Sequence, residues 1–332
     1  MNAERTSRLL VVLAVVGIPT ALIVGSILPG ASDGLRVVEM HGRMAEDGGW
    51  TPGELAMRAG ETIRLRLTSD DVMHGFAVGQ QNEPRVDVKP GQIVEVNLSF
   101  DRPGRYVFYC TRWCGPNHWR MRGTVTVEGP STTPETVSPP LYQTLGIDID
   151  APHPAAAVPA GRPSAARGQA LQITLPTSLT NADYVRSHSP SDLWVGLRRQ
   201  PAARGLTDDQ VWDLVAMIWQ SQTTTEEIAQ GQQLYATNCA ACHGERGQGD
   251  GVMAWSLERG DGVSTSSGTQ FPANQADAGS LLGASPALLE GKILRGGMGT
   301  GMPYWGPIFT PEQIEALVNY LYSLHFDMEV EP

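Results

Sequence analysis

Four residues with metal-binding side chains stand within twelve positions of this chain: Cys110, Cys114, His118 and Met121. A further histidine, His74, lies upstream in the strand-like run Asp-Val-Met-His-Gly-Phe-Ala-Val. Thiolate, imidazole and thioether are soft or borderline donors, so the set selects copper over the hard cations held by oxygen-rich sites. A mononuclear blue-copper site uses one cysteine. Here there are two, and the extra thiolate is best employed bridging a second copper. A disulfide between Cys110 and Cys114 is the plain alternative outside the cytoplasm, but it leaves His74, His118 and Met121 in register without a purpose.

A histidine in a strand followed by Cys-x-x-x-Cys-Gly-x-x-His-x-x-Met resembles the dinuclear copper A centre in subunit II of haem-copper oxidases, and every ligand position is matched. By the resemblance, Cys110 and Cys114 bridge both coppers, and His74 and His118 cap one copper each. Met121 is then a weak axial ligand, and the backbone carbonyl of Arg112 is the other. The family often places an acidic residue where Arg112 stands, and its carboxylate holds magnesium, so no such magnesium is expected here. The aromatic cluster that receives electrons from a soluble cytochrome in many oxidases is not recognisable between His41 and Trp50.

The second chemical motif is Cys239-Ala-Ala-Cys242-His243. Two cysteines at this spacing can add to haem vinyl groups while the adjacent histidine takes the iron. From Thr225 to Phe326 the surroundings resemble a class I cytochrome c. Gly231 and Tyr235 lie on the helix entering the motif, and Met302-Pro303-Tyr304 supplies the axial thioether the resemblance implies. Met217, Met253 and Met298 are read as packing residues. Thr310 to Leu324 predicts a closing helix, with Thr310 as N-cap, Pro311 at the first position, Gln313 completing a capping box, and Ile314, Leu317, Val318 and Leu321 on one face.

The elements that must position the copper ligands read as short strands at Leu35–Glu39, Glu54–Ala59, Thr62–Thr68, Met73–Val78, Gln92–Phe100, Gly104–Cys110 and Gly123–Glu128. Alternation in Thr-Ile-Arg-Leu-Arg-Leu-Thr and Ile-Val-Glu-Val-Asn-Leu marks half-buried strands, and turns fall at Ala59-Gly60, Lys89-Pro90-Gly91 and Arg102-Pro103-Gly104. Regular spacing of this kind suggests a Greek-key sandwich, the cupredoxin architecture that the resemblance implies.

The chain has 332 residues and a formal charge of −11, enough for two or three domains of ~100–200 residues. Met1 to Glu128 carries 14 basic and 14 acidic residues, so the remainder, with 10 and 21, holds the whole deficit. That argues against nucleic acid as a partner and favours a basic protein on the C-terminal half. Leu9 to Leu28 is uncharged and apolar, follows Arg5 and Arg8, and as a helix spans the ~30 Å of a bilayer core. A cleaved signal peptide would have a shorter apolar region of ~7–15 residues. The expectation is therefore a single-pass anchor, with a cytoplasmic N-terminus and everything after Ser32 extracytoplasmic. One helix rather than two resembles the ba-type branch of the oxidase family.

The expected organisation is an anchor over 1–33, an all-β cupredoxin domain over 34–128, a Pro/Ala-rich linker over 129–167, a helical segment over 168–224, and an all-α cytochrome c domain over 225–332. The linker is expected to be a flexible, proline-stiffened coil, with His153 solvated in it. The helical segment contains an echo. Leu206-Thr-Asp-Asp-Gln-Val-Trp-Asp-Leu-Val matches Phe309-Thr-Pro-Glu-Gln-Ile-Glu-Ala-Leu-Val at an offset of 103 residues, and Ser189-Pro resembles Ser285-Pro upstream. It is expected to be a half cytochrome that has lost its haem; chance recurrence of threonine-capped amphipathic helices is the plain alternative.

Together these readings imply a relay for single electrons, with covalent haem c as donor to dinuclear copper A. The expected partner is subunit I of a haem-copper terminal oxidase in the membrane, with a soluble basic donor or another respiratory complex upstream. The same relay in a nitric oxide reductase is an alternative that the sequence leaves open. A copper-delivery protein shares Cys-x-x-x-Cys but lacks the continuation from Gly115 to Met121. No catalytic residue for a substrate is assigned.

Overall fold

Alternation within Thr62–Ser69 sets the first layer of the sandwich. Ile63, Leu65 and Leu67 are fully buried, while Arg64 and Arg66 face outward, where Arg66 pairs with Glu39 and Glu95. The structure is a computed structural model and describes residues 34–81, 83–115, 117–130, 138–254, 272–297 and 302–327. The expected membrane span and Met298 lie outside those residues. Among the described residues no helix is long and apolar enough to cross a membrane.

Among the described residues nine strands follow in chain order: β1 (Arg36–Gly42), β2 (Trp50–Thr51), β3 (Glu54–Arg58), β4 (Thr62–Ser69), β5 (His74–Val78), β6 (Arg85–Val88), β7 (Ile93–Ser99), β8 (Gly104–Tyr109) and β9 (Arg122–Glu128). They make a four-stranded sheet, β2-β1-β4-β7, and a five-stranded sheet, β3-β9-β8-β5-β6. The β1–β4 and β3–β9 pairs are parallel and the rest antiparallel. This is the expected β-sandwich. Two strands escaped the sequence reading: β2 has two residues, and β6, Arg-Val-Asp-Val, alternates over only four. Between the sheets, Met40, Trp50, Phe76, Val88, Leu98, Phe108 and Val125 fill the core. Strand β5 is buried along its whole length, on both faces.

The rest of the described chain is helical: α1 (Leu141–Thr144), α2 (Ala165–Ala170), α3 (Thr177–Thr180), α4 (Ala182–Ser187), α5 (Pro190–Arg198), α6 (Asp208–Gln220), α7 (Thr225–Asn238), α8 (Ala240–His243), α9 (Ala278–Leu281), α10 (Pro286–Arg295) and α11 (Pro311–Ser323). Capping boxes start α6 at Thr207 with Gln210 and α11 at Thr310 with Gln313, so the sequence signal for both helix starts is realised. One buried cluster runs from Ala165 and Leu193 through α6 to Leu282, α11 and Phe326.

The Pro/Ala-rich stretch is not a loose coil where it is described. Ala155 donates to the Gly279 carbonyl at 2.8 Å, Ala156 to Ser191 Oγ at 2.7 Å, and Arg162 to the carbonyls of Ser323 and Phe326 at 2.8 and 2.9 Å. Asp150 pairs with Arg295 at 2.6 Å. His153, expected in solvent, is half-buried, and burial pushes its pKa down. The physical reason is that a proline-rich strand with few hydrogen bonds of its own can satisfy its backbone against helix ends and side chains.

Candidate metal centres

Strand β5 delivers His74 at its first residue and β8 delivers Cys110 just past its last. The loop between β8 and β9 supplies the remaining donors. His74 and Met121 are fully buried, and Cys110 and Cys114 are 4% and 7% exposed. The two sulfurs lie 3.9 Å apart. Cys110 Sγ is 3.9 Å from His74 Nδ1 and 3.2 Å from the Arg112 carbonyl oxygen. Cys114 Sγ is 3.4 Å from His118 Nδ1 and 3.7 Å from Met121 Sδ. The fold thus gathers all six groups singled out from the sequence around the two sulfurs.

Local conformation explains how twelve residues turn back on themselves. Asn117 adopts a left-handed conformation (φ +55°), and a 3-10 turn over His118–Arg120 carries the chain to Met121, whose carbonyl accepts from Cys110 N–H at 3.0 Å. Gly115 has φ +138°, and an added Cβ would lie 2.8 Å from Met44 Sδ, so only glycine fits there.

Several supporting groups were not foreseen. Asp71 Oδ1 accepts from His74 Nε2 at 2.7 Å, which leaves Nδ1 turned toward Cys110, and Asp71 Oδ2 accepts from Met44 N–H at 2.7 Å. A carboxylate on the far nitrogen fixes the tautomer of a ligating histidine and raises its basicity. Asp87 takes two hydrogen bonds from Arg112, each 2.7 Å, and so holds the residue whose carbonyl faces Cys110. Trp50 packs edge-on against His74, with ring centroids 5.9 Å apart. An aspartate three residues before a histidine is too common a pattern to be singled out in a sequence.

Electrostatics agree with a cation-binding pair of thiols. A hydrogen bond from Cys114, helped by His118 and His74 and opposed by burial, holds Cys110 below the usual thiol range, while the same hydrogen bond and burial push Cys114 up. Burial disfavours charge on His74, but its hydrogen bonds with Cys110 and Asp71 outweigh that and raise its pKa. All four cysteines are free, so no disulfide competes for these sulfurs. Five soft or borderline donors and a carbonyl, with His74, Cys110, Cys114 and Met121 buried and His118 half-buried, fit copper.

The haem motif sits where α7 ends. Cys239 closes that helix, Cys242 and His243 donate to its carbonyl at 3.1 and 2.9 Å, and α8 presents the two thiols and the imidazole from one turn. His243 Nδ1 lies 3.1 Å from the Ala273 carbonyl, which leaves Nε2 free for an iron, and burial lowers its pKa so that it stays neutral. Burial raises both thiols, Cys239 to about 12. Protonated, unpaired thiols beside a neutral imidazole fit covalent haem attachment. Met302 is half-buried, and it packs with Cys239 and Ala240 against the helical core. Met253 is buried, and Met217 packs against the same core, in keeping with packing roles.

Comparison with known proteins finds two stretches of the chain that match known families. Residues 52–128 match the cytochrome c oxidase subunit II periplasmic domain, and residues 228–325 match cytochrome c. Cytochrome c oxidase subunit 2 of Thermus thermophilus is 39% identical over 80 residues, which cover 24% of this chain and 58% of that one. The cbb3-type cytochrome c oxidase subunit FixP of Azorhizobium caulinodans is 31% identical over 100 residues, 30% of this chain and 28% of that one. The periplasmic domain of subunit II of cytochrome oxidase of Bradyrhizobium japonicum covers 31% of this chain and 89% of its own, with 19% identity and a TM-score of 0.26. The first two relatives are thus matched over little more than half and about a quarter of their own lengths. The ligand loop thus lies inside the stretch similar to the subunit II periplasmic domain, and the Cys-x-x-Cys-His motif inside the stretch similar to cytochrome c.

Proposed function

We propose that this chain is the electron-receiving subunit II of a haem-copper terminal oxidase, passing electrons from haem c to dinuclear copper A and on to a separate subunit I that reduces oxygen to water. The observation that carries this is the convergence of His74, Cys110, Cys114, His118, Met121 and the Arg112 carbonyl around two buried sulfurs. When bound, the copper pair and the haem supply centres that accept and release one electron at a time. The chain's own part is to hold donors in place and keep water out. Asp71 and Asp87 orient the His74 imidazole and the Arg112 carbonyl, and Trp50 shields the cluster. Leu9 to Leu28 would anchor the chain once, leaving both redox domains on the extracytoplasmic side beside subunit I.

We infer further that residues 168–224 are a cytochrome-like half that carries no haem. Support comes from the repeated caps at Thr207 and Thr310 and from α2 passing α6 at Gly168 as closely as α7 passes α11 at Gly231.

The test of the main reading is spectroscopic. Full-length protein prepared with copper is expected to hold two coppers per chain and to show, at low temperature, one unpaired electron shared over two copper nuclei. Cys110→Ser abolishes that signal, whereas Met121→Leu keeps it and shifts the potential, as a weak axial ligand requires. One copper per chain with a four-line mononuclear spectrum overturns the reading. Uptake of oxygen rather than nitric oxide by the complex that co-purifies with the chain completes it.

A further inference from the structure

The helical region meets the sandwich through the segment that follows Met302. Gln80 N–H donates to the Ile308 carbonyl at 2.8 Å, and its side chain donates to the Gly306 carbonyl at 3.0 Å. Gly79 comes so close that an added Cβ would lie 2.7 Å from Ile308 Cα. Ala77 of β5 and Tyr109 of β8 are buried in the helical core cluster with Trp305 and Ile308, which is why β5 is covered on its outer face as well. One long side chain completes the contact. Arg122 Nη1 donates to the Tyr304 carbonyl at 2.9 Å, and its guanidinium stands 5.2 Å from the centre of the Trp305 ring.

The positions of these two residues in the chain matter more than the contact itself. Arg122 directly follows Met121, whose Sδ is 3.7 Å from Cys114 Sγ and whose carbonyl accepts from Cys110 N–H. Tyr304 follows Met302 by two residues. Electronic coupling weakens with every bond in a path and more steeply across every gap. From Met302 the bonded route runs along Pro303 and Tyr304, crosses one hydrogen bond, and descends Arg122 to Met121. The contacts at Gln80 also cross hydrogen bonds, but they lie four and six residues from Met302 on one side and six from His74 on the other.

Resting on the ligand roles proposed above, we propose that Arg122 is a positioning residue for electron transfer between the two centres. Its bond to the Tyr304 carbonyl both docks the haem-side loop and closes the shortest bonded route from Met302 to Met121. One electron crosses per event, the iron side being oxidised and the copper side reduced. No bond is made or broken and no proton moves.

The experiment uses the full chain with Arg122→Ala, Arg122→Lys and Gln80→Ala. In the loaded protein, flash reduction of the haem followed by copper absorbance is expected to show interdomain transfer slowed by about tenfold or more in Arg122→Ala. Arg122→Lys, which can still donate to the carbonyl and sit over the ring, restores most of the rate. Gln80→Ala has a smaller effect. The copper spin resonance and haem absorption of each variant match the parent. In the metal-free chain, Arg122→Ala is expected to speed hydrogen exchange in the peptides spanning Ala77–Gln81 and Met302–Phe309.

An unchanged rate in Arg122→Ala, or unchanged exchange in the metal-free variant, overturns the proposal. Equal slowing by Gln80→Ala also overturns it, because docking alone would then account for the rate. Absence of the shared-electron copper signal from the parent protein is a different result. It removes the functional reading, and the route with it.

Discussion

Two helix pairs in this protein cross in the same way, yet only one of them stands beside a haem-attachment motif. In the first, α2 passes α6 at Gly168, where an added Cβ would collide with the Asp213 carbonyl and lie 3.0 Å from Met217 Cβ. In the second, α7 passes α11 at Gly231, where an added Cβ would collide with the Ala316 carbonyl and lie 2.8 Å from Tyr320 Cβ. Asp213 and Ala316 stand 103 residues apart, as do Met217 and Tyr320, and the N-caps Thr207 and Thr310. Trp219 and Tyr322, a further pair at that spacing, stack on each other with ring centroids 4.4 Å apart. Contact between equivalent residues is what a two-fold arrangement of related halves produces.

The difference between the pairs lies in what covers them. The α7 helix of the second crossing ends at Cys239 and leads into Cys242 and His243 on α8, whereas Asp213 in the first is buried and takes hydrogen bonds from Ser164 N–H and Arg167. A helix crossing is dictated by a glycine and by helix starts. It persists without a prosthetic group when another apolar face is at hand.

The largest test of this comparison is to take the first pair away. Deleting residues 168–224 uncovers Tyr322, Leu282 and their neighbours, each worth ~1.5–3 kcal/mol of burial. The haem domain is expected to melt at a lower temperature and to bind an apolar dye. A haem domain starting at Thr225 that melts at the temperature of the longer chain would make the first pair a mere spacer. A finer cut compares Gly231→Ala with Gly168→Ala. Each forces a methyl group onto a backbone carbonyl, and each is expected to cost roughly 1–3 kcal/mol by denaturant titration. If Gly168→Ala proves neutral, the two crossings are not alike. The smallest effect is at the caps, where Thr207→Ala and Thr310→Ala should each cost about 1 kcal/mol in the same titration. Unequal costs would show that only one cap is under tension from tertiary packing.

Much of the site was legible because the chemistry is local. Cys110, Cys114, His118 and Met121 occupy one loop, and Cys239, Cys242 and His243 one helical turn, so spacing alone announced them. Alternation in β4 and β7 was equally plain, since each has one face inward. Asp71 and Asp87 were not legible. Their meaning depends on folding against His74 and Arg112, and a carboxylate in a polar loop looks the same whether or not it supports a ligand. The proline-rich stretch misled for a related reason: composition reports that long regular elements are disfavoured there, not that its backbone lies free.

From the sequence alone, donor chemistry was decided: soft ligands at copper spacing, two thiols and an imidazole at haem spacing, and helix starts written in capping boxes. These need only neighbours along the chain. Tertiary structure alone decided that His74 comes within reach of Cys110, that Gly168 and Gly231 mark the same crossing, and that Arg122 bridges to Tyr304. Each of those joins positions far apart in sequence, and the energy that selects them comes from burying faces together, which no local pattern records.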